Sequence, residues 1–428
     1  MNFQRYFLSG IVLVLLLCMN PAWSSAGSPI ALDFIIFQGE QDQVTPSAAY
    51  NPSEKEYLVV WSNDRPGNDD IYARRLSAHG KQIGEWISIA AGAGFERSNP
   101  DIAFNSAREE FLVVWEEEPH GGYLRIQGIR VSKSGQLIPP VIEISTRPAL
   151  KNCQVPSVAY ASTSDTYLVV WESLVSGAFY STIEGQLLSS SGNPQGSNFQ
   201  LSEPISGPPA FSDQNPDLTY NRSHNEFLAV FERIYDSKGV KDIYGRLVTG
   251  NGTPLNSSAE PISGTTDDKL NPSVAAISTV PHEGKYFVAW ESQYSPGNNN
   301  IFGKRFTHEL SGDGIILMLS GSQNSDWAPA VAADEYSDQF LVAWSQPSDS
   351  IAASQIYARY VSQNDDDLEV EIAIGGYQTG LFSSDTAVSA GLPGDFLLAF
   401  RDTAQGVSDS DIFGQLLGNR QYIPLVIH

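Results

Sequence analysis

The sequence predicts an all-β protein in which one four-stranded antiparallel unit is repeated seven times, and three observations carry that prediction. First, "EYLVVW" ending at Trp61, "EFLVVW" ending at Trp115 and "TYLVVW" ending at Trp171 are nearly the same six residues, and related stretches end at Phe231, Trp290, Trp344 and Phe400. Second, these end points lie 54, 56, 60, 59, 54 and 56 residues apart, a period that signals a repeat architecture. Third, no segment carries helical periodicity, whereas short runs of β-branched and aromatic residues alternate with polar turns along the whole chain.

Within each unit the elements follow in a fixed order. The first strand opens on Pro in six units, "TPSAAY", "NPDIAF", "VPSVAY", "NPDLTY", "NPSVAA" and "APAVAA", and without Pro in the seventh, "DTAVSA". Proline is accepted there because the start of a strand does not need its N–H in the ladder. The second strand is the Trp strand, whose unbroken apolar run reads as buried on both faces. The third is "DIYARRL", "RIQGIRV", "TIEGQLL", "DIYGRLV", "NIFGKRF", "QIYARYV" or "DIFGQLL". Its central small residue, Ala73, Gly128, Gly185, Gly245, Gly303, Ala358 or Gly414, predicts a close approach by a neighbouring backbone or ring. The fourth is "WISIA", "VIEIS", "NFQLS", "EPISG", "IILML", "EIAIG" or "YIPLVIH".

Four such strands describe a propeller blade, and the chain resembles a seven-bladed β-propeller of the broad group of secreted bacterial proteins with "flVvW…dIyG" repeats. The resemblance covers residues 44–428 and implies blades packed radially around a channel. It implies no activity, because propellers host lectins, hydrolases, lyases and scaffolds. The tryptophan–aspartate pair of WD40 repeats, the kelch glycine pairs and the sialidase Asp box are not evident. Residues 27–43 hold a leader, "ALDFIIFQ", that also reads as a fourth strand, so eight candidates compete for seven places. Either the leader or "YIPLVIH" is expected to complete the seventh blade and remove its open edge.

Residues 1–26 have the build of a secretory signal peptide: Arg5, an apolar stretch from Ile11 to Cys18, and small residues at Ser24 and Ala26. A secreted or periplasmic location is the expectation, with no membrane insertion, and bulky Leu17 before Cys18 argues against lipidation. The formal charge of −24 becomes −25 without Arg5, which repels phosphate backbones and argues against nucleic acid. Beyond the signal only Cys153 remains, so no intrachain disulfide forms, and this thiol is expected as a small buried apolar group.

Alternating strand direction puts the loops after strands two and four on one face, here called the upper face. Those loops are long and unlike one another, so ligand contacts are expected there. Immediately after the second-strand aromatic stand Ser62, Glu116, Glu172, Glu232, Glu291, Ser345 and Arg401. Glu116, Glu172, Glu232 and Glu291 are candidates for a polyol or cation site near the channel, or alternatively for groups that simply cap their strands. Arg401 breaks their pattern and joins the candidate ligand-binding residues. Trp327, placed in a loop between blades, is a further candidate because an exposed ring stacks on sugar, as are Tyr123, Phe179, Tyr180 and Tyr294. Asp64, Asp69, Asp70, Asp409 and Asp411 are candidate calcium ligands, without the EF-hand spacing. The six His are scattered, and neither HExxH, GxSxG nor a P-loop occurs. The reading is therefore an exported, non-catalytic, monomeric propeller that binds a glycan or an extracellular or envelope protein, calcium being the one cofactor considered. An extracellular carbohydrate-active hydrolase or lyase using channel carboxylates is the alternative.

Overall fold

The computed structural model describes residues 28–29 and 33–418 apart from 66, 147–150, 176–179, 204–210, 236–239, 265–266, 279–283, 296, 322–324, 348–353, 365, 367, 375–384 and 404–408. The signal segment and the "YIPLVIH" tail lie outside the described residues. Among the described residues every regular element is a strand, and the strands form seven antiparallel sheets in chain order. Blade one, for example, runs Asp42–Asn51, Glu56–Asp64, Asp70–Ser77 and Gln82–Ala90. The first strands touch one another around a closed ring, the seventh (Thr386–Ala390) meeting that of blade one. The chain is a seven-bladed β-propeller.

The strand-two aromatics fill the spaces between blades. Trp61, Trp115, Trp171, Trp290, Trp344, Phe231 and Phe400 are all buried. Trp171 belongs to blade three yet packs with Leu112, Ile126 and Ile144 of blade two, so its ring joins two sheets. Cys153 is buried in the same cluster, and burial raises its thiol above the ordinary value, which disfavours the thiolate.

The central glycine of the third strand makes room for an aliphatic side chain beside the fourth strand in blades two, three and four, and for the Phe287 ring ahead of Leu319 in blade five. A Cβ added to Gly128 would lie 2.9 Å from Ile144, one at Gly185 2.6 Å from Leu201, and one at Gly245 2.9 Å from Ile262. The seventh member of this series is Ile36, 2.9 Å from a Cβ at Gly414, with the Phe34 ring at 2.8 Å. Ile36 lies in the leader strand Phe34–Phe37, which pairs with the third strand of blade seven, Ser410–Gly418. The leader thus supplies the outer strand of the last blade, and chain start and chain end are hydrogen-bonded into one sheet, which protects the edge that an open ring would expose.

Six first strands carry the same irregularity. The residue before the strand-opening Pro, Thr45, Asn99, Val155, Asn215, Asn271 or Ala328, has φ between 48° and 51°, and the ladder slips in register there. This conformation is costly for β-branched Thr45 and Val155, so contacts must hold it in place. The seventh first strand, which lacks the Pro, pairs without a slip.

Candidate functional site

Four of those bends, at Val155, Asn215, Asn271 and Ala328, are held by the glutamate after the strand-two aromatic of the preceding blade, whereas the Thr45 N–H is accepted by Asp385 of blade seven at 3.1 Å. Glu116 accepts the Val155 N–H of the next blade at 2.8 Å, and Ser98 Oγ at 2.7 Å and Asn99 Nδ2 at 2.9 Å from its own. Glu232 accepts the Asn271 N–H at 2.8 Å and Asn215 Nδ2 at 2.8 Å; Glu291 accepts the Ala328 N–H at 2.7 Å and Asn271 Nδ2 at 2.6 Å. Glu172 is bound in the same manner by the Asn215 N–H, Ser181 and Gln154. All four are buried, and burial, with the Glu232 charge adding to it, raises the Glu172 and Glu291 carboxyls above the usual range. Each is an interblade clasp set just behind an upper channel mouth of about 310 Å³.

Below this mouth the channel continues as a cavity of about 430 Å³ lined by all seven first strands. The residue after the opening Pro runs around it as Ser47, Asp101, Ser157, Asp217, Ser273, Ala330 and, where the Pro is missing, Ala387. Asp101 accepts Ser47 Oγ at 2.8 Å and the Val158 N–H at 2.8 Å, while Asp217 accepts the Leu218 and Val274 N–H groups at 2.8 Å and Ser273 Oγ at 3.1 Å. These two carboxylates lash blades one to five together. Enclosure and mutual repulsion push Asp217 up to about 6, and enclosure also raises Asp101.

A further cavity of about 680 Å³ opens on the lower face, opposite to the face on which the loop lengths lead one to expect ligand contacts. It lies over blades six, seven, one and two, and its origin is a departure from the repeat. The sixth residue of the first-strand motif is aromatic in blades one to four, where Tyr50, Phe104, Tyr160 and Tyr220 pack on Tyr57, Phe111, Tyr167 and Phe227 with centroids 4.8 to 5.2 Å apart. In blades five to seven the same position is Ala276, Ala333 or Ala390. Ala333 and Ala390 line the cavity, Tyr50 and Phe104 wall it, and Tyr336 stands on its rim. Tyr336 is 78% exposed, the most exposed large apolar side chain described. At its place in the tight turn after strand one, blades one to four carry Ser53, Ala107, Thr163 and Ser223. Asp334 fixes that turn by accepting the Tyr336 N–H at 3.0 Å and Ser337 Oγ at 2.6 Å, and it reaches the Gly394 N–H of blade seven at 2.7 Å. An immobilised turn presenting a bare ring beside a cavity is the build of a stacking platform. Sequence reasoning missed Tyr336, and the signal was an aromatic where matched turns carry Ser, Ala or Thr.

The remaining candidates are dispersed. Trp327 is not in a loop: it opens the first strand of blade six, Trp327–Asp334, opposite Ser345, because the strand begins one residue before the bend. Arg401 donates to Ser410 Oγ at 2.7 Å and lies 3.6 Å from Asp42, so it joins blade seven to blade one. Asp411 and Asp409 accept the Gly39 and Gln41 N–H groups at 3.1 and 2.9 Å, anchoring the chain as it leaves the leader strand. Asp70 is buried and held by Arg65, by Arg97 at 3.4 Å and by the Gly92 N–H at 3.0 Å. Asp69 accepts the Arg65 N–H at 2.7 Å and burial raises it to about 6, while Asp64 is exposed. Among the described residues no group of three or more His, Cys, Asp or Glu is arranged to hold a metal ion. Tyr180 is exposed, Tyr123 is half-buried, Tyr294 lies in the second strand of blade five, and Phe179 is outside the described residues.

No family model matches the chain, and the search of curated proteins found no match. Solved structures do match in shape. An ulvan lyase of a polysaccharide lyase family superposes with a TM-score of 0.57 at 10% identity, over 92% of this chain and 96% of that one. A protein of unknown function from Dyadobacter fermentans gives 0.55 at 12% identity, over 78% and 98%. A Hadza microbial sialidase gives 0.51 at 9% identity, over 82% and 73%. At such identities the likeness is one of fold, and it places the chain among propellers of this general shape.

Proposed function

We propose that this protein is an exported, non-catalytic propeller that binds a glycan, seating one saccharide unit in the lower cavity against Tyr336. The observation that carries the reading is the pairing of that exposed ring with a cavity opened by Ala333 and Ala390, where earlier blades in the chain carry aromatic side chains. Sugars present one apolar face and a rim of hydroxyls, and an aromatic platform beside backbone and side-chain acceptors matches both. Two propellers of similar shape are named as a polysaccharide lyase and a sialidase, which favours saccharide as the ligand class. The Asp101 and Asp217 carboxylates are the enclosed acids that a hydrolase or lyase would use. Each is already bound by backbone N–H groups and serines of adjacent blades, which favours bracing over proton transfer.

The test is a glycan array probed with the mature chain and with Tyr336→Ala. Removal of one stacking ring should weaken the retained glycans roughly tenfold or more, with melting temperature unchanged because the ring is exposed. Equal retention by both proteins would sink the site, and turnover of a retained glycan would replace binding with catalysis.

A further inference from the structure

The charges around the lower cavity bear on the kind of saccharide unit it would take, an inference that rests on the glycan-binding reading above. Three charged side chains line it: Lys55, Asp334 and Glu335. Asp334 is occupied by the Tyr336, Ser337 and Gly394 donors. Glu335 is occupied by Arg222 at 3.0 Å and the Ser278 N–H at 3.2 Å. Lys55 is exposed and makes no ion pair among the described residues. Its two acidic chain neighbours are engaged elsewhere, Glu54 with Lys133 at 2.9 Å and Glu56 with Arg75 at 2.6 Å. The charge left for a ligand is therefore one ammonium.

The position of that ammonium is itself a departure from the repeat. Lys55 closes the turn after strand one with φ 56°, a left-handed conformation that favours Gly, Asn and Asp. The matching residues of the other blades are Glu109, Asp165, Asn225, Gly284, Asp338 and Gly394. Six blades place an acid, an amide or no side chain there, and blade one, one of the four that border the cavity, places the single base. The net charge of −24 does not cancel it, because at physiological salt fields beyond about 8 Å are screened and the adjacent carboxylates are already paired.

We propose that the cavity is specific for an anionic saccharide unit, one bearing a carboxylate or a sulfate ester, whose charge meets the Lys55 ammonium while its ring lies on Tyr336. The shared chemistry is a single negative charge on a sugar ring, and the probes separate its sources. Oligogalacturonates are compared with their methyl-esterified, neutral counterparts, and sulfated galactan oligosaccharides with their desulfated counterparts. Dissociation constants are measured by calorimetry for the mature chain, Lys55→Gln and Tyr336→Ala, at 50 and 300 mM salt. At least one anionic probe should bind about tenfold more tightly than its neutral counterpart, with the preference shrinking at the higher salt. Lys55→Gln should abolish that preference and leave neutral binding as it was, whereas Tyr336→Ala should weaken both members of the pair. Equal affinity for charged and neutral members, or an anionic preference that survives Lys55→Gln, overturns the charge assignment and leaves the stacking site standing. Binding untouched by Tyr336→Ala, or no binding of any probe, overturns the site itself.

Discussion

Replacing Glu232 with alanine separates a carboxylate that holds blades together from one that binds a ligand. Its side chain is fully buried and accepts three donors, Asn215 Nδ2 at 2.8 Å, the Asn271 N–H at 2.8 Å and Lys241 Nζ at 3.1 Å. Alanine would remove every acceptor at once. A hydrogen bond to a charged group is worth about 1.5–3 kcal/mol, and a buried donor left without a partner costs a similar amount. The Lys241 side chain is 30% exposed and recovers its hydration in water, so the loss falls mainly on the Asn271 N–H and the Asn215 amide. The two contributions share one carboxylate and do not add in full, which puts the cost at about 4 kcal/mol. With an unfolding entropy of about 2.1 cal/mol/K per residue, that lowers the melting temperature of a chain this long by roughly 5 °C. Glu232→Gln keeps one acceptor oxygen and should lose about half as much. Calorimetric melts of both variants, with glycan binding measured well below the transition, decide the matter. A Glu232→Ala protein that melts like the parent but no longer binds glycan would refute the clasp and return the four glutamates to the ligand.

Two further outcomes follow from the interior. Trp171→Ala empties the space between blades two and three, where the ring packs on Ile126 and Ile144, and should cost about 3–5 kcal/mol in chemical denaturation; an unchanged midpoint would mean the ring is not core. Asp217 is held up at about 6 against an ordinary 3.8, so the folded chain binds this proton more tightly than the unfolded chain does. Its contribution to stability is fully present below pH 4 and is lost as pH rises through 6, a change of about 3 kcal/mol. Asp217→Asn should therefore flatten the stability curve between pH 4 and 6.5, whatever it does to absolute stability, and an unaltered slope would refute the assignment.

The architecture was legible because a repeat multiplies weak signals. One "LVVW" is an ordinary buried strand, but three copies and four close variants at a near-constant period, each followed by a small-centred strand, leave few alternatives to a propeller. The ring closure was not legible, because the leader and the tail are both apolar and β-prone. What separates them is register: Ile36 fills against Gly414 the place that Ile144 fills against Gly128, a match that depends on a 2.9 Å approach rather than on composition. The left-handed residues before the prolines were hidden for the opposite reason. A residue preceding Pro is normally extended, and only the clasp from the neighbouring blade makes the bend at Val155 tolerable.

The proposed site was missed by the same logic that found the fold. Glutamates recurring in four blades attracted a functional reading, yet a feature copied with the repeat serves what every blade needs, which is attachment to the next blade. Function in a ring of near-identical units has to break the repeat, since no single ligand contacts seven equivalent positions in the same way. The breaks lie together: Ala333 and Ala390 where earlier blades carry rings, Tyr336 where matched turns carry small residues, and Lys55 where matched turns carry acids, amides or glycine. Two of these are losses of bulk, which a search for chemically active side chains passes over. They become visible once the blades are aligned position by position and the space left by an absent ring is counted as a feature of the surface. The three kinds of departure meet at one cavity on the face with the short loops, and that coincidence is what the proposed glycan site rests on.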